Sequence, residues 1–184
     1  MPEKLGEKEI FKTKLFTVKD INLKFGKKHV TYQIVEKRDT APAVPVQDGK
    51  LFLIKEYFTA INETQISLPK GRIENGEDEV ETVNKELQEE INYKASKLDK
   101  LAVLTMSPGY LTQKTHVFLA RNLTKSKQKG DEEEKPKLFV CNFNDFEKLI
   151  KNGELTEARA IAALYLAKNF MKNENSGIKR KNNC

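Results

Sequence analysis

Gly71–Tyr93, GRIENGEDEVETVNKELQEEINY, carries seven glutamates and two glycines and reads as a loop followed by a helix. Gly71, Asn75 and Gly76 are turn formers. From Asp78 onward Val80, Val83, Leu87 and Ile91 recur at spacings of three and four, the period of an amphipathic helix running to Ile91. At roughly 100° per residue, Glu86, Glu89 and Glu90 share one face beside the apolar stripe. Carboxylates held together repel one another, so a fold that keeps them together supplies compensating positive charge. Hard divalent cations, which take oxygen ligands, meet that need. Mg2+, with Mn2+ as the alternative, is the expected cofactor. The same run also fits a solvated acidic helix face, because glutamate is a good helix former, and spacing alone does not separate the two readings.

Immediately upstream, Ile66–Leu68 reads as a short strand that delivers the chain into Pro69-Lys70-Gly71. Ahead of it, Ala43–Val46 and Leu51–Tyr57 flank Asp48-Gly49, a strong hairpin signal, while the two prolines of Arg38–Pro45 are expected to break regular structure. Leu15–Phe25 and Val30–Val35 form an amino-terminal β-hairpin around Gly26-Lys27-Lys28. Downstream, Lys100–Thr105 and His116–Arg121 read as strands around SPGYLTQK, where Ser107-Pro108-Gly109 must turn. Lys125–Lys137, KSKQKGDEEEKPK, is charged and poor in apolar residues, which predicts a mobile exposed loop. Leu138–Phe143 is again a strand. Asn144 is expected to cap a helix over Asp145–Asn152 that Gly153 ends, and Thr156 to open a helix to about Met171. The order of strands, acidic helix, strands and two helices predicts an α/β fold with a mixed sheet between helices.

A chain of 184 residues suits one domain. The division expected is amino-terminal strands over 1–42, a catalytic domain over 43–171 and a basic flexible tail over 172–184. No apolar run approaches the roughly 20 residues that span a bilayer, and the charged amino terminus lacks a secretory h-region. A cytoplasmic protein without a membrane partner is expected. Cys141 and Cys184 form neither a disulfide framework nor a zinc pattern and read as unpaired thiols. The formal charge is +6, and from Lys172 onward Lys172, Lys179, Arg180 and Lys181 face Glu174 alone. Without interleaved aromatics this reads as a solvated end, and nucleic acid is not an expected partner. His29 and His116 read as strand residues without a Ser or Cys partner for triad chemistry.

The acidic stretch resembles the Nudix box, G-x5-E-x7-R-E-U-x-E-E-x-G-U with U aliphatic. Gly71, Glu77, Glu86, Leu87, Glu89 and Glu90 fall on its positions, whereas Lys85, Asn92 and Tyr93 depart from it. The likeness runs from about Leu15 to Met171. With LIKEY at Leu53–Tyr57, SPGY at Ser107–Tyr110 and the ending TEARAIAALYLAKNFM, it is most similar to the bacterial ADP compounds hydrolase (NudE) type, related to ADP-ribose pyrophosphatases. This resemblance implies a Nudix-type α/β/α sandwich and metal-dependent hydrolysis of the diphosphate linkage in ADP-linked compounds such as ADP-ribose, releasing AMP. It implies Glu86, Glu89, Glu90 and the Lys70 carbonyl as metal ligands, Ser107 and Tyr110 as substrate contacts, and Glu77 as a structural acid tied to Lys85. The general base is expected from the charged loop, Glu132 first and Glu134 second, with Glu89 the leading candidate within the box. Gln65 and Ser67 stand where relatives often place a glutamate that contacts the nucleoside. The partners implied are a small nucleoside diphosphate derivative and a second copy of the chain, in a homodimer built on the amino-terminal segment. A dinucleoside polyphosphate or NADH as main substrate, or a catalytically silent nucleotide-binding protein, are the alternatives.

Overall fold

A computed structural model describes residues 1–130 and 135–176. β1 (Glu3–Lys12), β2 (Thr17–Phe25) and β3 (Lys28–Glu36) form an antiparallel sheet in that order. Phe25 pairs with Lys28 across the two-residue turn Gly26-Lys27, where Gly26 supplies the φ of 60° that the first central position of a type II′ turn requires. β1 adds a strand to the hairpin expected from the sequence. Its residues are all exposed except the half-buried Gly6, so no apolar alternation announces it.

The larger sheet contains β4 (Thr40–Gln47), β5 (Lys50–Phe58), β6 (Glu63–Ser67), β7 (Lys70–Arg72), β8 (Tyr93–Thr105), β9 (Lys114–Lys125) and β10 (Lys137–Asn142). Its order is β10-β5-β4-β9-β8, with β6 paired to β5 and β7 to β4. β4 and β9 run parallel and the other pairs antiparallel, so the sheet is mixed. β4 and β5 leave a shared turn at Asp48-Gly49, with φ of 50° and 71°, but pair only at Val46–Leu51 and Gln47–Lys50. Beyond that they diverge, and β6 and β7 fill the fork. The acidic stretch therefore starts inside the sheet.

The prolines do not break the chain as expected: Pro42 and Pro45 lie buried within β4. The β4–β9 ladder passes from Thr40–Thr115 to Ala43–Phe118 across Pro42, and Pro45 stands just ahead of the first β4–β5 pair. Both still hold register places, Pro42 opposite Lys70 of β7 and Pro45 opposite Ala120 at the end of the β4–β9 ladder. Because β4 begins at Thr40, the end of the segment assigned to 1–42 belongs to the large sheet.

α1 (Glu79–Glu86) packs on one face of this sheet and α3 (Ala158–Asn175), with the short α2 (Phe146–Lys151), on the other. Strand alternation sorts the layers. Leu51, Leu53, Val117 and Leu119 pack with Phe146, Ala160, Ala163, Leu164 and Ala167. Phe52, Ile54, Phe118 and Ala120 pack with Val83, Leu87 and Ile91. This is the expected α/β/α sandwich. Two caps differ from expectation: Asn144 lies within a 3-10 turn, Phe143–Asp145, that leads into α2, and Glu157 rather than Thr156 caps α3, accepting from the N–H groups of Arg159 and Ala160. α3 ends at Asn175, and the remainder of the expected tail from residue 177 lies outside the described residues. No helix among the described residues is long and apolar enough to cross a membrane.

Candidate active site

Asp78 caps α1, its carboxylate accepting from the N–H groups of Val80 at 2.8 Å and Glu81 at 3.1 Å. The inward stripe is Thr82, Val83, Leu87 and Ile91; Val80, expected in it, is 42% exposed. The α-helix does not run to Ile91. It ends at Glu86, and Leu87–Ile91 form a π-helical turn closed by Asn92 at φ 61°. Asn tolerates this left-handed conformation, which is how it stands in for the glycine of the box. The wider turn changes which side chains point inward: the consecutive residues Glu89 and Glu90 are both buried, 9% and 2% exposed.

Gly71 is not the turn former expected but lies in β7, with no positive φ. A Cβ there would overlap the Glu86 carboxyl group, so glycine is what lets that side chain lie against the strand. One residue earlier, the Lys70 N–H donates to Glu90 Oε2 at 3.0 Å. Glu86 and Glu90, one turn apart, thus converge on the same dipeptide. The Lys70 ammonium reaches back to Glu56 on β5 and lies over the Phe58 ring. Glu56 escaped the sequence reading; its one signal is an acid following the apolar run Leu51–Ile54.

The three glutamates line a cavity of about 600 Å3 whose other wall is Lys127, Gln128, Lys129, Gly130 and Lys135. This segment is fastened to the π-helical turn: the Gln128 N–H donates to the Gln88 carbonyl, the two glutamine side chains bond at 2.7 Å, and Lys135 donates to Asn92 Oδ1 at 2.9 Å. A Cβ on Gly130 would sit 3.5 Å from the Glu89 Cβ, so the loop packs directly on that glutamate. Glu132 and Glu134 lie outside the described residues. Burying an ionised carboxylate costs several kcal/mol, and two on adjacent residues compound the cost, which positive charge offsets. The ligand atoms that the three glutamates offer are all oxygen, which suits a hard divalent cation. Among the described residues no group of three or more Asp, Glu, His or Cys side chains is already assembled as a cage.

Other expected residues stand apart. Glu77 does not pair with Lys85; its carboxylate accepts the Glu74 N–H at 3.1 Å and closes the Asn75-Gly76 turn, where Gly76 adopts φ 81°. Ser107 and Tyr110 do not line the glutamate cavity. Their loop docks on the end of β3, with the Val35 N–H donating to the Tyr110 carbonyl at 2.7 Å and the Thr112 N–H to the Val35 carbonyl at 3.1 Å. Gln65 is half-buried on β6 and Ser67 fully buried. His116 lies between two acids, Nε2 3.1 Å from Asp39 and Nδ1 2.6 Å from Glu79. The contact to Glu79 lacks hydrogen-bond alignment. Cys141 is free, and burial pushes its thiol pKa up.

Comparison with known proteins agrees with this geometry. A family model for the NUDIX domain matches residues 36–164. ADP compounds hydrolase NudE of Escherichia coli K12 is 30% identical over 176 residues, 94% of this chain and 95% of that protein. ADP-ribose pyrophosphatase of Bacillus subtilis 168 is 30% identical over 169 residues, 87% of this chain and 91% of that protein. A crystal structure of an ADP compounds hydrolase superposes with a TM-score of 0.86 at 28% identity, covering 97% of both chains. With the box glutamates gathered at one sheet fork and the domain match spanning most of the chain, the protein belongs to the Nudix family of pyrophosphohydrolases.

Proposed function

We propose that this enzyme hydrolyses the diphosphate linkage of ADP-linked compounds such as ADP-ribose, with a divalent metal, Mg2+ first and Mn2+ second, and releases AMP. The observation that carries the reading is the convergence of Glu86 and Glu90 on Lys70-Gly71, beside the buried Glu89, at the wall of a cavity large enough for a nucleotide. The names of the relatives, an ADP compounds hydrolase and an ADP-ribose pyrophosphatase, support the substrate class. Glu86, Glu89, Glu90 and the Lys70 carbonyl would hold the ion, which when bound neutralises diphosphate oxygens and lowers the pKa of the attacking water. In the overall step water adds to one phosphorus and the bond from that phosphorus to the bridging oxygen breaks. AMP and ribose 5-phosphate leave, and a carboxylate takes the proton of the water. Glu132 is the first choice for that carboxylate and Glu134 the second. The packing of Gly130 on Glu89 supports a base arriving from this loop. Should neither serve, Glu89 takes the role.

Ser107 and Tyr110 are proposed to touch substrate across a homodimer, which suits residues that do not line their own chain's glutamate cavity. Among the described residues β1 pairs with β2 alone and β3 meets only β2 and, at Val35, the Ser107–Thr112 loop, and Ile10, Phe11, Phe25 and Tyr32 are exposed, so this sheet offers edges and apolar surface to a second copy. The test is product analysis with ADP-ribose, diadenosine polyphosphates and NADH in the presence of magnesium, together with light scattering. AMP from ADP-ribose and a dimer are expected. Turnover of none of them overturns the enzymatic reading, and a fully active monomer overturns the shared site.

A further inference from the structure

A second cavity, of about 690 Å3, lies between residues 12–17, the β3–β4 linker and residues 72–79, and shares no lining residue with the glutamate cavity. Five cationic side chains line it: Lys12, Lys14, Lys37, Arg38 and Arg72. Arg38 is paired with Glu74. The side chains of the other four have no ion-pair or hydrogen-bond partner among the described residues. The carboxylates around them are already engaged. Glu36 holds Lys19 at 2.9 Å, Asp39 accepts the Lys114 N–H at 2.7 Å and faces His116, Glu77 closes its own turn, and Glu79 holds Lys100. Lys12, Lys14, Lys37 and Arg72 therefore keep their side-chain donors free for a ligand, although Asp39 and Glu77, which hold backbone N–H groups, still bring negative charge to the same wall.

Lys37 is the most constrained of these cations. Its ammonium is half-buried, and burial first, then the fields of Arg159 and Arg72, push its pKa down. Its backbone is clamped: the Lys37 N–H donates to Thr112 Oγ1 at 3.2 Å and Gln113 Nε2 to the Arg38 carbonyl at 2.7 Å. Arg72 is fixed through β7, where it pairs with Thr40. Two like charges held toward one cavity on fixed backbone cost energy in the empty protein and lower the cost of ordering when an anion arrives.

We propose that this cavity is a second anion site, apart from the glutamate site, which takes a phosphate-bearing small molecule on Lys37 and Arg72 with Lys12 and Lys14 at its rim. The arginine fork matches phosphate oxygens two at a time and the lysines add point charges. A nucleotide phosphate and free pyrophosphate share that chemistry. The test titrates pyrophosphate and AMP by calorimetry into the full chain with chelator present, so that metal-bridged binding at the glutamates is absent. The wild type and Glu86→Gln/Glu90→Gln are expected to bind alike. Lys37→Gln/Arg72→Gln is expected to weaken binding about tenfold or more, the worth of one charge-assisted hydrogen bond, and the charge-keeping Lys37→Arg to retain it. Binding of pyrophosphate alone assigns the site to free polyphosphate, and binding of AMP as well assigns it to nucleotides. Since the substitutions relieve repulsion, Lys37→Gln/Arg72→Gln should melt no lower than wild type, which separates lost binding from lost fold. Absence of metal-free binding, or binding undiminished in Lys37→Gln/Arg72→Gln, overturns the site.

Discussion

Replacing Gly71 by alanine adds a single methyl group at the point where the Glu86 carboxyl group lies against β7. The atoms that the methyl would meet are the outer part of a flexible side chain, so Glu86 can swing away while the strand stays in place. Gly71 has no positive φ, and alanine should therefore gain about 0.4–1 kcal/mol from a less flexible unfolded chain. Forcing Glu86 off its rotamer costs about 0.5–1.5 kcal/mol, which leaves net stability within about 1 kcal/mol of wild type. Activity should respond differently, because a misplacement of about 1 Å at a reacting centre can cost about 10²-fold. The assay is turnover of ADP-ribose with magnesium, paired with urea unfolding, for Gly71→Ala, Glu86→Gln and the double variant. If the glycine acts through Glu86, the double variant loses no more than Glu86→Gln alone. Full turnover in Gly71→Ala, or losses that simply multiply, would refute the reasoning.

Leu87→Ala removes a fully buried side chain between the π-helical turn and the sheet and should cost about 2–5 kcal/mol in urea unfolding, whereas Val80→Ala, at an exposed position, should stay within about 0.5 kcal/mol. The hydrogen bond from Arg121 holds the Glu174 carboxyl below the usual carboxylate range. Its contribution is present above the ordinary value near pH 4.3 and is lost as pH falls through the lower folded value. Glu174 is 40% exposed, so solvent screening keeps this below about 1 kcal/mol, and the melting difference between wild type and Glu174→Gln should shrink from pH 7 to pH 3. Glu132→Gln/Glu134→Gln should lower turnover while leaving metal affinity unchanged. Normal turnover across pH would return the base to Glu89.

The convergence of Glu86, Glu89 and Glu90 is legible because it depends on fixed offsets along the chain, and a residue's place on a helical turn follows from its number. The π-helical turn is not, since a single widened turn leaves the apolar spacing of Val83, Leu87 and Ile91 unchanged. Gly71 misled for a related reason: glycine serves turns and close approaches alike, and only the position of Glu86 decides between them. Pro42 and Pro45 are strand breakers by their usual effect, which tertiary context overrides by burying both inside β4, opposite Lys70 and Ala120. β1 and the first half of β8 lack apolar alternation because most of their side chains meet solvent. Glu56 and the cations around Lys37 are brought together by the sheet fork and the β3–β4 linker, and no local pattern encodes such long-range meetings.

The central claim is that Glu86 and Glu90 hold the metal on which hydrolysis depends. Calorimetric titration of magnesium and manganese, followed by AMP release from ADP-ribose, tests it on wild type, Glu86→Gln and Glu90→Gln at matched thermal stability. The account predicts that each variant keeps its fold, binds metal more weakly and loses turnover by orders of magnitude, and that chelator abolishes wild-type activity reversibly. Wild-type metal affinity and turnover in both variants would contradict it.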